Sequence, residues 1–111
     1  MAPPLSETRS DGIVTLTLAS PETLNALSGT MLRALAAALD RIATDETIRV
    51  VILKAEGKVF SAGHDLKEMQ SLRSAPDQGR AGLQALFDLC ARVMQQVHAL
   101  PQPVIAQVQG V

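Results

Sequence analysis

Aromatic residues and cysteines are scarce in this chain. Phe60 and Phe87 are its only aromatic side chains, since it contains no Trp and no Tyr. Proteins that bind single-stranded nucleic acid or sugars stack them on aromatic rings, so the composition disfavours those classes. The single cysteine, Cys90, excludes an intramolecular disulfide and suits a reducing compartment.

Basic clusters and long apolar runs are missing as well. The chain contains ten Lys and Arg and eleven Asp and Glu, which gives a net charge of −1. Nucleic-acid binding is disfavoured, because it needs clustered cations. No apolar run approaches the ~18–20 residues of a membrane span. The segment Met1–Ser10 has no apolar signal core and carries Glu7. We therefore expect no nucleic-acid or membrane partner, no secretory or transit peptide, and a cytoplasmic location.

What the chain does contain is enough apolar material for one core. Hydrophobic residues make up 47 % of 111 residues, which favours a single domain spanning 1–111. The pattern predicts an α/β domain in the order ββαβααβ. Its expected elements are an edge strand Leu5–Arg9, a turn at Asp11-Gly12, a strand Ile13–Leu18, a helix from the cap Ser28 to about Thr44, a buried strand Arg49–Ala55, a short helix Asp65–Leu72, a long helix of about Gln78–Ala99 capped by Asp77, and a buried strand Pro103–Val108.

The segment Val51–Met69 carries the clearest functional pattern. An apolar strand ends in a loop at Ser61–Gly63, and the acidic residue Asp65 then begins an amphipathic helix. Such a loop presents free backbone N–H groups, which bind a carbonyl oxygen or a phosphate. It lacks the Gly-Lys-Ser/Thr ending of a P-loop and the paired glycines of a dinucleotide site, so we exclude both.

His64 in this loop has three readings. It lacks a second ligand at metal-binding spacing, so we expect no metal site. Its backbone N–H is the favoured functional group, a catalytic imidazole is a second possibility, and an incidental loop histidine is the third.

Other conspicuous residues have structural explanations. Asp65 is expected to cap its helix, and Glu68 is expected to be an exposed acid of the first turn. Cys90 and Met94 fall on the apolar stripe of the long helix and are expected in the core. His98 lies near the C-terminus of that helix, where it complements the helix dipole.

Three separated pieces resemble the crotonase (enoyl-CoA hydratase/isomerase) family. They are Ser20–Ser28 (SPETLNALS), Arg49–Leu53 leading into Phe60–Met69 (FSAGHDLKEM), and Leu100–Gly110 (LPQPVIAQVQG). Any one piece alone is weak evidence, but three in the right order and spacing make a strong match.

One branch of that family matches most closely. The sequence looks most like the enoyl-CoA hydratase domain-containing protein 3 branch, and the residues that carry this likeness are Gly63–Glu68, Cys90, Val93-Met94 and His98. Relatives whose loop has a histidine at the position of His64 can lack one or both of the family's catalytic glutamates.

The resemblance implies a fold and a site. The fold would be a crotonase-like spiral of ββα units assembling into homotrimers or hexamers, and the substrate an acyl-coenzyme A thioester, with no separate cofactor. The N–H of His64 would be one of two backbone donors to the thioester oxygen. The second donor, and the family's two acid/base glutamates, match positions beyond Val111. Residues implied to line the coenzyme A path are Leu24, Ala26, Ala62, Asp65, Leu66 and Lys67, although a first-turn lysine such as Lys67 is more often simply solvated.

Three functional hypotheses stay open at this point. The first is the N-terminal part of an enoyl-CoA hydratase or isomerase. The second is a non-catalytic acyl-CoA-binding homologue without the glutamates. The third is a structural fragment with no complete site. We expect 1–111 to be an N-terminal portion of a longer fold, with a complete small domain as the alternative.

Overall fold

The computed structural model describes residues 3–111 and has one mixed sheet and three helices. The strands are β1 (Leu5–Ser10), β2 (Ile13–Leu18), β3 (Val50–Ala55) and β4 (Val104–Ala106); the helices are α1 (Gly29–Ala43), α2 (Leu66–Leu72) and α3 (Arg80–Ala99); and a 3₁₀ turn spans Pro21–Thr23. Within residues 3–111, no helix combines the length and apolar character needed to cross a bilayer. The predicted α/β class and element order are confirmed.

The sheet order β1-β2-β3-β4 follows from its connections. A tight turn joins β1 to β2, with Asp11 and Gly12 at φ +51° and +81°, so this pair is antiparallel as an Asp-Gly hairpin predicts. Helix α1 crosses between β2 and β3, which makes that pair parallel, with Val14 beside Val51. The pair β3 and β4 is also parallel. Parallel pairing brings the C-terminal ends of β2 and β3 to the same edge.

The core lies between one face of the sheet and the two longer helices. Alternate residues of β2, namely Val14, Leu16 and Leu18, are at most 2 % exposed, as the period of two in a strand requires. Helix α1 buries a full apolar stripe that includes Met31 and Ile42, whereas only Leu86 and Val93 of α3 are buried. Helix α1 is therefore central, and α3 lies at the periphery.

That peripheral position corrects two expectations for α3. Met94 is 48 % exposed rather than part of the core, and Cys90 is half-buried against the core as a free thiol. The apolar stripe of α3 is wider than the surface that α1 and the sheet offer it.

The last strand also differs from its prediction. It is limited to Val104–Ala106 and is not buried, since Ile105 is 54 % exposed. The physical reason is that β4 is an edge strand, paired only with β3 among the described residues. An apolar run cannot reveal whether a strand has neighbours on both sides.

Helix α3 begins two residues later than predicted. Gln78 and Gly79 have φ of +61° and +87°, and left-handed residues cannot continue into a right-handed helix. The Asp77 carboxylate nevertheless accepts hydrogen bonds from the first-turn N–H groups, at 2.9 Å from both Gly79 and Ala81. The predicted caps of α1 and α2 are confirmed, because Ser28 Oγ accepts the N–H of Met31 at 3.1 Å and Asp65 caps α2.

The start of α3 makes stability depend on the charge of Asp77. Hydrogen bonds from the N–H groups of Ala81 and Gly79 hold the pKa of Asp77 below its usual value. The resulting stabilisation is complete above the unfolded pKa of about 3.9 and is lost as pH falls through the lower folded pKa. We expect Asp77→Asn to lower the unfolding temperature at neutral pH and the gap from the native chain to close in acid, as followed by circular dichroism.

Asp88→Asn is the matched control for this experiment. Asp88 is an exposed acid of α3 whose carboxylate accepts a side-chain amide, from Gln84 at 2.8 Å. A gap between Asp77→Asn and the native chain that stays constant down to about pH 2.5 would contradict the assignment.

Candidate functional site

The predicted site residues meet in one cleft of about 430 Å³. One wall is formed by the segment that comes after β2, which includes the 3₁₀ turn. The other wall is formed by the loop after β3 and the start of α2. The cleft thus lies at the C-terminal ends of two parallel strands, where α/β folds commonly place ligands. Its lining residues are Glu22, Thr23, Leu24, Ala26, Ala62, His64, Asp65, Leu66 and Lys67.

All seven residues named from the sequence are in this set, and two more join them. Sequence reasoning missed Glu22 and Thr23, which the 3₁₀ turn folds back beside Leu24. The available signal was Pro21, because proline favours the first position of a helical turn. Pro21 does begin this turn.

Two main-chain hydrogen bonds hold the walls of the cleft together. The N–H of Leu27 donates to the carbonyl of Gly63 at 2.7 Å, and the N–H of Ala62 donates to the carbonyl of Leu24 at 2.9 Å. Leu27 and His64 are thereby paired as a short parallel bridge. Because these bonds connect main chain to main chain, the separation of the walls is independent of the side chains that line them.

Asn25 fastens the first wall to the body of the protein. It is completely buried and has φ of +51°, a left-handed conformation that asparagine tolerates well. Its side-chain amide donates to the carbonyls of Glu56 and Val59 at 2.8 and 3.0 Å, and its Oδ1 accepts the N–H of Ser20 at 2.8 Å. A buried amide with all these partners is expensive to disturb, so Asn25 makes the loop after β2 rigid.

The N–H of His64 differs from those that precede it. The N–H groups of Ala62 and Gly63 are occupied, the latter by Ser61 Oγ at 3.2 Å. The N–H of His64 has no acceptor within residues 3–111. It belongs to the same trans peptide as the carbonyl of Gly63, and a trans peptide directs its C=O and N–H in opposite directions. Because that carbonyl points to Leu27, the free N–H points away from it.

The imidazole of His64 packs on α3. Its ring centre lies 5.3 Å from that of Phe87 in an edge-on arrangement, with an interplanar angle of 77°. Its Nδ1 is buried without a hydrogen-bond partner in the described chain. No carboxylate therefore orients this ring, and within residues 3–111 no cluster of three His, Cys, Asp or Glu is arranged to hold a metal.

Glu68 corrects an expectation, because it is half-buried and bonded rather than an exposed acid. Its carboxylate accepts the N–H of Gly29, with N–O distances of 2.9 and 3.2 Å. Gly29 begins α1, whose first turn contains no acid of its own, and a carboxylate is stabilised at that positive end of the helix. Glu68 thus ties α2 to α1. On the exposed side of α2, Leu66 is 74 % exposed and Lys67 faces solvent.

A second, wholly apolar cavity of about 240 Å³ lies on the other side of the bridge. Leu27 and Ser61 line this cavity, whereas Ala26, Ala62 and His64 line the cleft. The short parallel bridge is therefore the partition between the cleft and the apolar interior.

The fold agrees with what comparisons with known proteins show. The sequence model of the enoyl-CoA hydratase/isomerase family matches residues 8–111. The chain belongs to this family. The family resemblance and the crotonase-type fold read from the sequence are both confirmed.

Particular relatives show how much of the family the chain represents. It is 40 % identical over 107 residues to human mitochondrial enoyl-CoA hydratase domain-containing protein 3, a match covering 96 % of this chain and 34 % of that protein. It is 37 % identical over 102 residues to the 1,2-epoxyphenylacetyl-CoA isomerase of Escherichia coli, covering 90 % and 37 %. A solved enoyl-CoA hydratase of Mycobacterium smegmatis superposes with a TM-score of 0.88 at 48 % identity, covering 96 % of this chain and 40 % of that one. The chain spans about a third of the length of the curated relatives it matches.

The conformation of Gly63 gives a test of the loop geometry. Its φ is +89°, and no heavy atom lies within 4 Å of where a Cβ would stand. Glycine is therefore needed for its backbone angles and not for space. We expect Gly63→Ala to lower the free energy of unfolding by about 1–2 kcal/mol, and Gly63→Asn to cost less because asparagine enters the left-handed region more readily. Urea unfolding measures both.

Gly12→Ala is the comparison for a left-handed glycine that also lacks space. Gly12 has a φ of +81°, and a Cβ there would lie 3.2 Å from Arg49 Cδ and 3.3 Å from the carbonyl oxygen of Thr47, so we expect this variant to cost more than Gly63→Ala. Equal costs for Gly63→Ala and Gly63→Asn would show that backbone conformation is not what selects glycine at position 63.

Proposed function

We propose that this chain forms part of an acyl-coenzyme A thioester site in an enzyme of the enoyl-CoA hydratase/isomerase type. The observation that carries the proposal is the unpaired N–H of His64, held in a rigid peptide at the edge of the cleft. Family membership supplies the reaction class. Hydration of an α,β-unsaturated thioester, or movement of its double bond, places negative charge on the carbonyl oxygen.

A backbone donor suits this chemistry for an electrostatic reason. A donor that is fixed before the reaction stabilises the developing charge without reorganising, and one such donor is worth about 2.7–4 kcal/mol in the transition state. The N–H of His64 meets this requirement, because the bond from Leu27 to the carbonyl of Gly63 holds its peptide. In this proposal the imidazole has no chemical role, since it packs against Phe87 without a carboxylate partner.

The remaining cleft residues are proposed to bind the coenzyme A part of the substrate. Leu24, Ala26, Ala62 and Leu66 supply apolar contact for the pantetheine arm. Lys67 forms no ion pair within residues 3–111, so its ammonium group is available to a phosphate. Asp65 is occupied in capping α2 and contributes to the wall.

The complete reaction is proposed to need groups outside these residues. By the family resemblance, the second backbone donor and two acid/base glutamates match positions past Val111, and each acid/base group contributes about 10²–10⁴-fold. Trimeric or hexameric assembly and a cytoplasmic location also remain predictions. The human relative is named as a mitochondrial protein.

Replacing the backbone donor itself tests the proposal. His64→Pro removes the N–H, whereas His64→Ala keeps it and removes only the imidazole. Calorimetric titration would compare a saturated acyl-CoA thioester with the S-alkyl-CoA thioether, which lacks the carbonyl oxygen. In the full-length protein we expect His64→Ala to keep the native preference for the thioester, and His64→Pro to reduce that preference by about tenfold, the value of one hydrogen bond.

His98→Ala serves as the control, because it removes the other of the two histidines from the exposed end of α3. Equal binding of thioester and thioether by the native protein would contradict the proposed function. Loss of the preference in His64→Ala would instead assign the role to the imidazole. Loss of the ultraviolet absorbance of a 2-enoyl-CoA would measure hydration, and thioester binding without turnover would favour the non-catalytic homologue.

A further inference from the structure

We infer that Ser61 is a positioning residue that aims the N–H of His64, and that it does so by linking the loop to Asn25. The inference rests on the proposed function for its consequence, but its structural basis is separate. Ser61 does not line the cleft, and its side chain would not contact the substrate.

The hydroxyl of Ser61 connects the two walls. It donates to the main-chain carbonyl of Asn25 at 2.8 Å and accepts the N–H of Gly63 at 3.2 Å. One oxygen atom therefore joins the fixed loop after β2 to the residue that precedes the donor. Because the donated bond fixes the direction of the O–H, its lone pairs are left facing the N–H of Gly63.

The anchor at the far end of this link is rigid. Asn25 is completely buried, and its side chain forms hydrogen bonds with three main-chain groups, those of Ser20, Glu56 and Val59. The buried side chain of Asn25 therefore fixes the position of Ser61 relative to the end of β3.

Gly63 needs this second attachment because no other hydrogen bond within residues 3–111 holds the peptide between Ala62 and Gly63. No heavy atom comes within 4 Å of its Cβ position, and glycine at φ +89° has no side chain to limit rotation. The bond from Leu27 holds the peptide after Gly63, and Ser61 holds the peptide before it. With both peptides fixed, φ and ψ of Gly63 are fixed, and so is the direction of the His64 N–H.

Ser61 has a second effect, which is to satisfy the N–H of Gly63. If its oxygen were absent, this N–H would have no acceptor among residues 3–111, and the peptide before Gly63 could rotate and change the direction of the His64 N–H. Misplacing a reactive group by about 1 Å costs roughly 100-fold in rate, so a moderate loss of aim has a measurable effect.

Ser61→Thr and Ser61→Val form a matched pair for the experiment. They have nearly the same shape and differ in the hydroxyl. Ser61 borders the apolar cavity of about 240 Å³, which has room for the extra methyl groups. In the full-length protein, Raman difference spectroscopy would record the carbonyl stretch of a bound acyl-CoA thioester, because the stretch moves to lower frequency as donors polarise the bond.

We expect native protein and Ser61→Thr to show the shift, and Ser61→Val to show less than half of it with a 10- to 100-fold lower turnover or thioester affinity. Binding of coenzyme A itself, which has no thioester carbonyl, should change less than twofold in both variants. Ser6→Ala on the exposed strand β1 is the control for removing a hydroxyl. A full shift in Ser61→Val would overturn the inference.

A second readout separates this inference from the proposed function. Hydrogen exchange followed by NMR should show the N–H of Gly63 protected in native protein and Ser61→Thr, and faster by about tenfold or more in Ser61→Val, with no ligand present. Ser61→Ala replaces Ser61→Val if the latter does not fold. If native protein shows no carbonyl shift while the N–H of Gly63 is protected, the proposed function is contradicted and the inference about Ser61 is not. An unprotected Gly63 in native protein would overturn the inference alone.

Discussion

The hydrogen bond from the N–H of Leu27 to the carbonyl of Gly63, at 2.7 Å, is the interaction on which the candidate site depends. A peptide group is planar, so fixing its carbonyl also fixes the N–H on its other side. The bond exists because β2 and β3 are parallel neighbours and their exit loops meet at one edge of the sheet. Secondary structure, topology and the direction of the His64 donor are therefore parts of one arrangement.

Sequence reasoning worked where the controlling interactions are local. The Asp11-Gly12 turn and the Ser28 cap involve partners within a few residues, and both are as predicted. It failed at the start of α3, because Gln78 and Gly79 adopt φ of +61° and +87° where the chain packs against the end of α2, and a Cβ on Gly79 would lie 2.7 Å from the carbonyl oxygen of Leu72. It also failed to foresee that β4 is exposed, since the hydrophobicity of a strand says nothing about the number of its neighbours.

The candidate site shows the same division. The loop containing Gly63 and His64 could be predicted from its sequence, because a glycine just before the start of a helix has few structural alternatives. The residues that hold the loop were not recognisable. Asn25 is separated from Glu56 by 31 positions, Ser61 from Asn25 by 36, and Glu68 from Gly29 by 39. Polar residues of ordinary type become informative only when folding shows their partners.

The main chain and the side chain of His64 have separate tasks in this arrangement. Its N–H is aimed by neighbouring peptides, whereas its ring contacts Phe87 and so attaches the loop to α3. The loop is then held by Leu24 and Leu27 of the first wall, by the bond from Ser61 to Asn25, and by the packing of the ring on the long helix. A donor defined by main-chain geometry does not require a particular side chain. In the proposed function, position 64 can therefore hold a residue that suits the packing without loss of the backbone donor.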